Sequence, residues 1–233
     1  MKKIIIPLLL ILPFSPLSAA EDGWSGDGEL GFTSYSGNTK STDLFAKLSL
    51  ANQMGIWKHE LTLSVNNNSS DNVRTAERYF LNWKSSRDFT PLYYGFGSFR
   101  YDKDRFSGFN FQSTLATGIG MHVIKQKEVT LDTEIGVGYK VSETTLNDKT
   151  NEAVLIGGLF YKNQFTPTTR FTQDIIIEAA SSNNYIESIT GLRVAISTKL
   201  ALKASFTVKH NTDVDVGIKK TDTISALTLS YDF

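Results

Sequence analysis

The run Thr223-Ile224-Ser225-Ala226-Leu227-Thr228-Leu229-Ser230-Tyr231-Asp232-Phe233 is the most constraining stretch of this 233-residue chain. Leu227, Leu229, Tyr231 and Phe233 take the odd positions, and Thr228, Ser230 and Asp232 take the even ones. Strict alternation of this kind places the two sets on opposite faces of an extended strand. A sequence that finishes on an apolar aromatic is unusual for a soluble domain, whose termini are polar and loose. It suits a strand that closes a transmembrane barrel, with lipid on one face and a polar lumen on the other.

The other end of the sequence agrees with that reading. Met1-Lys2-Lys3 is a positive start, Ile4 to Leu12 is apolar apart from Pro7, and Ser18-Ala19-Ala20 supplies small residues. This pattern predicts a secretory signal over 1–20, cleaved after Ala20 with Ala19 as the alternative, and a barrel over 21–233. Two of the 24 basic residues leave with the signal, so the mature chain is slightly acidic. No block of Lys or Arg is present to neutralise phosphates, which argues against a nucleic-acid partner. Cysteine is absent, so an exported chain must rely on burial or on a closed hydrogen-bonded barrel. Beyond the signal no apolar run approaches the roughly 18 residues of a membrane helix.

The alternation continues through the chain and predicts twelve strands near 24–36, 41–53, 58–68, 75–88, 92–102, 109–123, 128–141, 152–165, 169–181, 185–198, 200–211 and 220–233. A membrane strand needs about 9–11 tilted residues, and twelve strands share the mature chain at roughly 17 residues each, connection included. Sixteen would leave no loops, and eight would leave more chain than the turn signals permit. The repeated turn Phe89-Thr90-Pro91 and Phe165-Thr166-Pro167 is separated by four strands, which puts both copies on one rim. Short connections near 55, 90, 125, 167 and 199 are expected to alternate with mostly longer ones, the longest being 142–151. The expected fold is therefore all-β, a transmembrane antiparallel up-and-down barrel. A soluble sandwich or lipocalin-type barrel also alternates, but it has no use for tyrosine and phenylalanine near the ends of an outward apolar face.

Strand parity assigns Lys47, Glu60, Arg78, Lys84, Arg100, Asp132, Glu134, Lys140, Asp174, Glu178, Arg193 and Lys203 to the lumen, with Lys209 beside them. The carboxylate pairs Asp132/Glu134 and Asp174/Glu178 each share the lumen face, and paired carboxylates can act in glycoside hydrolysis, yet in a barrel they are better read as partners of inward Lys and Arg. The three histidines, His59, His122 and His210, are scattered and do not make a metal site. Ser188 and His210 are the sole pairing a lipid-active enzyme at the interface would offer. No catalytic residue, metal or cofactor is expected. The functional expectation is a narrow channel for ions or small polar solutes. The alternatives are a non-conducting, envelope-stabilising barrel with an ion-paired lumen and, third, the lipid-active enzyme.

The stretches Thr75-Ala76-Glu77-Arg78-Tyr79-Phe80 and Gly97-Ser98-Phe99-Arg100-Tyr101-Asp102-Lys103-Asp104-Arg105-Phe106-Ser107-Gly108-Phe109 resemble the YdiY-like family. So do Gly23-Trp24-Ser25-Gly26-Asp27-Gly28-Glu29-Leu30-Gly31-Phe32 and Ser36-Gly37-Asn38-Thr39. The members of that family are called salt-induced outer-membrane proteins, a label for expression and not for mechanism. The resemblance implies a Gram-negative outer-membrane barrel and brings no catalytic or ligand residues. Expected partners are outer-membrane lipid, lipopolysaccharide (near the Lys103-Asp104-Arg105 stretch) and the barrel-assembly machinery. That machinery would read Leu227, Leu229, Tyr231 and Phe233.

Overall fold

A computed structural model describes residues 24–37, 41–70, 73–104, 108–214 and 216–233. The expected signal over 1–20 and its cleavage point lie outside the described residues, as do Gly23, Asn38, Thr39 and 105–107 of the motif stretches. Twelve antiparallel strands form one closed barrel in which each pairs with its sequence neighbours. They are β1 (Trp24–Ser36), β2 (Ser41–Met54), β3 (Trp57–Ser70), β4 (Val73–Asp88), β5 (Tyr93–Asp104) and β6 (Phe109–Lys125). The second half comprises β7 (Val129–Thr144), β8 (Lys149–Gln164), β9 (Thr169–Ala180), β10 (Tyr185–Ala195), β11 (Leu200–Asn211) and β12 (Thr221–Asp232). Pairing of β1 with β12 closes the ring and leaves no open sheet edge.

The closure is finished by Phe233. Its N–H donates to the Gly26 carbonyl and the Gly26 N–H donates back, both at 3.0 Å. The ring lies over Gly26, where a Cβ would sit 2.7 Å from it. Glycine there lets an aromatic side chain cover bare backbone at the seam.

The outward face is an apolar belt. Leu30, Phe32, Leu115, Ile135 and Leu155 are each about three-fifths exposed or more, with nothing of the chain over them. A patch of that extent is untenable against water and natural against lipid. Trp24, Trp57, Phe89, Tyr93, Phe165 and Tyr231, all exposed, ring one edge of the belt, and Tyr79 and Tyr139 stand towards the other. The molecule is built as a membrane-embedded β-barrel.

We call the rim that carries Trp24 and Phe233 proximal. Both Phe-Thr-Pro turns fall on it, as connections 89–92 and 165–168. They use one device: the Thr90 hydroxyl accepts from the Leu92 and Tyr93 N–H groups, and the Thr166 hydroxyl accepts from those of Thr168 and Thr169. Gly55, with φ 58°, supplies the left-handed residue that the tight connection 55–56 needs.

Three expectations need correction. The longest connection is 212–220 and not 142–151, because β7 and β8 extend the ladder to Glu143 opposite Lys149. The distal connections are consequently not generally longer than the proximal ones: polar residues such as Ser69 and Ser70 continue β3 past the membrane belt. Strand β10 stops at Ala195, not 198, since the Ser197 hydroxyl accepts from the Lys199 and Leu200 N–H groups and turns the chain.

Candidate functional site: the barrel interior

Inward parity is unbroken from strand to strand, because the register keeps Glu29 opposite Lys47, Lys84 opposite Ser98, Glu134 opposite Gly158 and Arg193 opposite Lys203. Bonds between strands far apart in the ring prove which face is inside, since no path around the outside is short enough. A bulge at His122/Ile124 keeps His122 on this inner face while Ile124 turns outward opposite Leu131.

Towards the distal rim the interior is crossed by an ion-pair layer. Arg78 grips Asp102 with two parallel bonds, Nε at 3.1 Å and Nη2 at 2.9 Å. From the opposite wall Lys209 donates to the same carboxylate at 3.0 Å. Arg100 on β5 reaches β10, donating at 2.8 Å to both Glu187 and the Tyr185 hydroxyl. Lys140 pairs with Glu178 at 3.0 Å, and Thr114 donates to that carboxylate at 3.3 Å. The Phe80 ring lies beside both guanidinium groups, 5.6 Å from Arg78 and 5.4 Å from Arg100. Charge-assisted, bidentate bonds of this kind are the strong ones in a low-dielectric interior. Above the layer, a cavity of about 350 Å³ opens between Phe109, Gln112, Ser142, Thr150, Glu152 and Asn183.

The proximal half is arranged differently. On one wall Glu29 accepts from Lys47 at 3.2 Å, Lys203 at 2.8 Å and Thr228 at 2.9 Å. On the other, Lys84 crosses to Glu134, which also accepts from the Tyr94 hydroxyl at 2.7 Å. The inner surface of β6, β7 and β8 here is largely glycine, at Gly118, Gly120, Gly136 and Gly158, and the rings of Tyr94, Phe96 and Phe160 occupy the space that side chains would fill. At the proximal mouth His122 binds Asp132 at 2.7 Å and Asp88 at 3.4 Å, and Arg193 binds Asp232 at 2.5 Å. Glu60 is held by Lys58 at 2.7 Å. Asp174 faces inward between Phe160 and Ile189 of the neighbouring strands.

Parity arguments had not singled out Glu29, Asp102, Tyr94, Tyr185 or Glu187. Asp102 was within reach, two positions from Arg100 on one face. The inward rings break the rule of a polar lumen, so no pattern of alternation pointed to them. The Ser188–His210 pairing does not form. His210 stands opposite Ile186 and bonds the Thr221 hydroxyl at 2.8 Å, while the Ser188 hydroxyl accepts from Gln173 at 2.9 Å. Among the described residues no group of three His, Cys, Asp or Glu side chains is placed to hold a metal ion.

A family model described as a protein of unknown function, DUF481, matches residues 28–233. The chain belongs to the DUF481 family. It is 26% identical over 215 residues to the uncharacterized protein YdiY of Escherichia coli (strain K12), across 92% of this chain and 85% of that one. Among solved structures, the barrel is similar to the NanC porin at TM-score 0.59 and 8% identity, covering 88% of this chain and 98% of that one. It is similar to the translocator domain of the autotransporter NalP from Neisseria meningitidis at 0.53 and 11%, over 93% and 91%. It is also similar to the KdgM porin in complex with disordered oligogalacturonate at 0.50 and 10%, over 90% and 99%. At such low identity these likenesses establish the DUF481 barrel as sharing the porin fold and nothing finer.

Proposed function

We propose that this DUF481 barrel is an outer-membrane channel with a narrow lumen for ions or small polar solutes. The carrying observation is the lining. Ionised side chains traverse the interior and most of them pair with one another, where a purely structural core would pack apolar groups. Lys47, Glu60, Arg78, Lys84, Arg100, Asp132, Glu134, Lys140, Asp174, Glu178, Arg193 and Lys203 are the lumen-lining set in this reading. Opposite charges in near balance suit a water-filled path that is not strongly selective for one sign. Twelve strands enclose a bore between the filled eight-strand barrels and the open large porins. The fold shared with NanC and KdgM supports the same reading, and a link to salt or osmotic stress belongs to it through the family label. The role is non-enzymatic, with lipid and lipopolysaccharide around the belt. The assembly machinery would engage β12 through Leu227, Leu229, Tyr231 and Phe233.

One observation favours the non-conducting alternative: Arg100–Glu187 and Lys209–Asp102 tie opposite walls together across the bore. Purified protein in planar bilayers separates the two. The channel gives discrete conductance steps that grow with salt, and a persistently silent bilayer makes the barrel an ion-paired strut.

A further inference from the structure

We propose that the proximal lumen contains a binding cage for an organic ammonium ion, and that Lys84 is its tethered resident. The Lys84 Nζ lies 4.5 Å from the centroid of the Phe160 ring, 5.3 Å from Phe96 and 6.0 Å from Tyr94. All three rings fall within the roughly 6 Å over which an aromatic face attracts a cation. Glu134 adds the counter-charge, bonding both the ammonium and the Tyr94 hydroxyl. Several ring faces and one carboxylate around a single nitrogen are the recognition chemistry of alkylammonium groups.

The cage is built into the backbone. A Cβ at Gly120 would lie 2.1 Å from the Tyr94 ring, one at Gly118 would lie 2.8 Å from Phe96, and one at Gly158 would lie 2.9 Å from Phe160. Glycine inside a strand weakens it and marks a close approach; Gly120 and Gly158 make room for a ring of the cage, and Gly118 admits both Phe96 and the β7 backbone at Ile135 and Gly136. On β6 the wall carries only backbone at Gly118 and Gly120, where the Phe96 and Tyr94 rings sit.

Lys84 also has somewhere else to go. Glu60 stands directly opposite it on β3, and such pairs have Cβ atoms only about 4.5–5.5 Å apart. The Glu60 side chain is 39% exposed and is held by Lys58 at the mouth. A lysine stem has the freedom to lie along the wall towards Glu60 instead of across the bore towards Glu134. The wall position leaves three ring faces and a carboxylate without a cation. A quaternary ammonium ion fits that vacancy, being weakly hydrated and needing no hydrogen-bond acceptors. A hard metal ion does not, because ring faces cannot replace its oxygen ligands. Since a short tether keeps Lys84 at an effective concentration of about millimolar or more, a free ligand competes in the same range.

This inference rests on the channel reading only in that a small cation must enter the lumen, so its test measures binding and not conduction. The full mature barrel, folded in octyl glucoside, whose headgroup carries no ammonium, is titrated calorimetrically with tetramethylammonium chloride at constant ionic strength. Wild type binds weakly, Lys84→Met binds roughly tenfold tighter, and adding Phe160→Leu to Lys84→Met abolishes the gain. Equal affinity in wild type and Lys84→Met, or a gain that survives Phe160→Leu, overturns the cage. If Lys84→Met does not reach the heat-modifiable folded form, Glu60→Gln serves instead: it removes the wall partner and should weaken binding, and unchanged affinity overturns the proposal. A silent bilayer alongside these affinities would sink the channel reading and leave the cage standing.

Discussion

Two sites in the lumen, one around Asp102 and Arg100 in the distal half and one around Lys84 in the proximal half, handle buried charge differently. In the distal layer charge is met by charge: Asp102 receives Arg78 and Lys209, and Arg100 receives Glu187 and Tyr185. Side chains from opposite walls meet there, so the layer braces the cylinder. In the proximal layer Lys84 is met mainly by ring faces, with Glu134 as its carboxylate and Glu60 within reach on the neighbouring strand. A network of directional ion pairs specifies one arrangement, whereas rings and a flexible ammonium tolerate several. Rigidity and adaptability are thus stacked along one bore, built from the same residue types and separated by what surrounds each cation.

Breaking the brace should have the largest effect. Arg100→Ala leaves Glu187, 4% exposed, without its guanidinium partner. Removing one member of a buried pair costs about 3–5 kcal/mol, which urea unfolding of the barrel in lipid vesicles will measure. A loss below about 1 kcal/mol, typical of exposed pairs, would show that water screens the distal layer and that the contrast with the proximal half is false. The next effect belongs to the glycine wall. Gly120→Ala forces the Tyr94 ring to move, at about 1–3 kcal/mol for overpacking. Combining it with Tyr94→Ala should cost less than the sum of the two single changes, because the clash is then gone. Strict additivity would mean that the ring does not rest on Gly120.

The outer surface was readable from sequence because lipid and lumen impose a period of two, and that period survives any loop error. Leu227, Leu229 and Tyr231 are exposed on one face of β12, while Thr228 and Ser230 are buried on the other. The loops were less readable: Glu143 and Lys149 look like turn residues by polarity, yet the ladder carries them. The interior was legible as a set of inward charges and not as a set of partners. Arg100 and Glu187 are 87 positions apart, and their meeting depends on barrel radius and tilt, which no local pattern encodes. The inward placement of Phe96 depends on Gly118 one strand away and Gly136 two strands away, a constraint that only the register reveals, whereas Phe160 rests against Gly158 of its own strand.

The adaptable layer predicts smaller effects. Lys84→Met leaves Glu134 with the Tyr94 hydroxyl and keeps an apolar stem against the rings, so the loss should be about 1.5–3 kcal/mol, the scale of one hydrogen bond to a charged group. The same unfolding experiment measures it against Arg100→Ala. A loss as large as the distal one would make Lys84 a brace too, and the two layers would be one. The mouth supplies the floor of the series. Lys58 and Lys125 are about half exposed and pair with Glu60 and Asp88 at 2.7 and 3.3 Å. Lys125→Ala should change stability by less than about 1 kcal/mol, since water screens both partners. Its imprint belongs instead in the current: removing a cation from the proximal mouth raises cation over anion permeability, read as a shift in reversal potential across a salt gradient. An unmoved reversal potential in a conducting barrel would place the selective step deeper in the bore, at Arg100 and Glu187, where the charge-removing Arg100→Gln must then shift it.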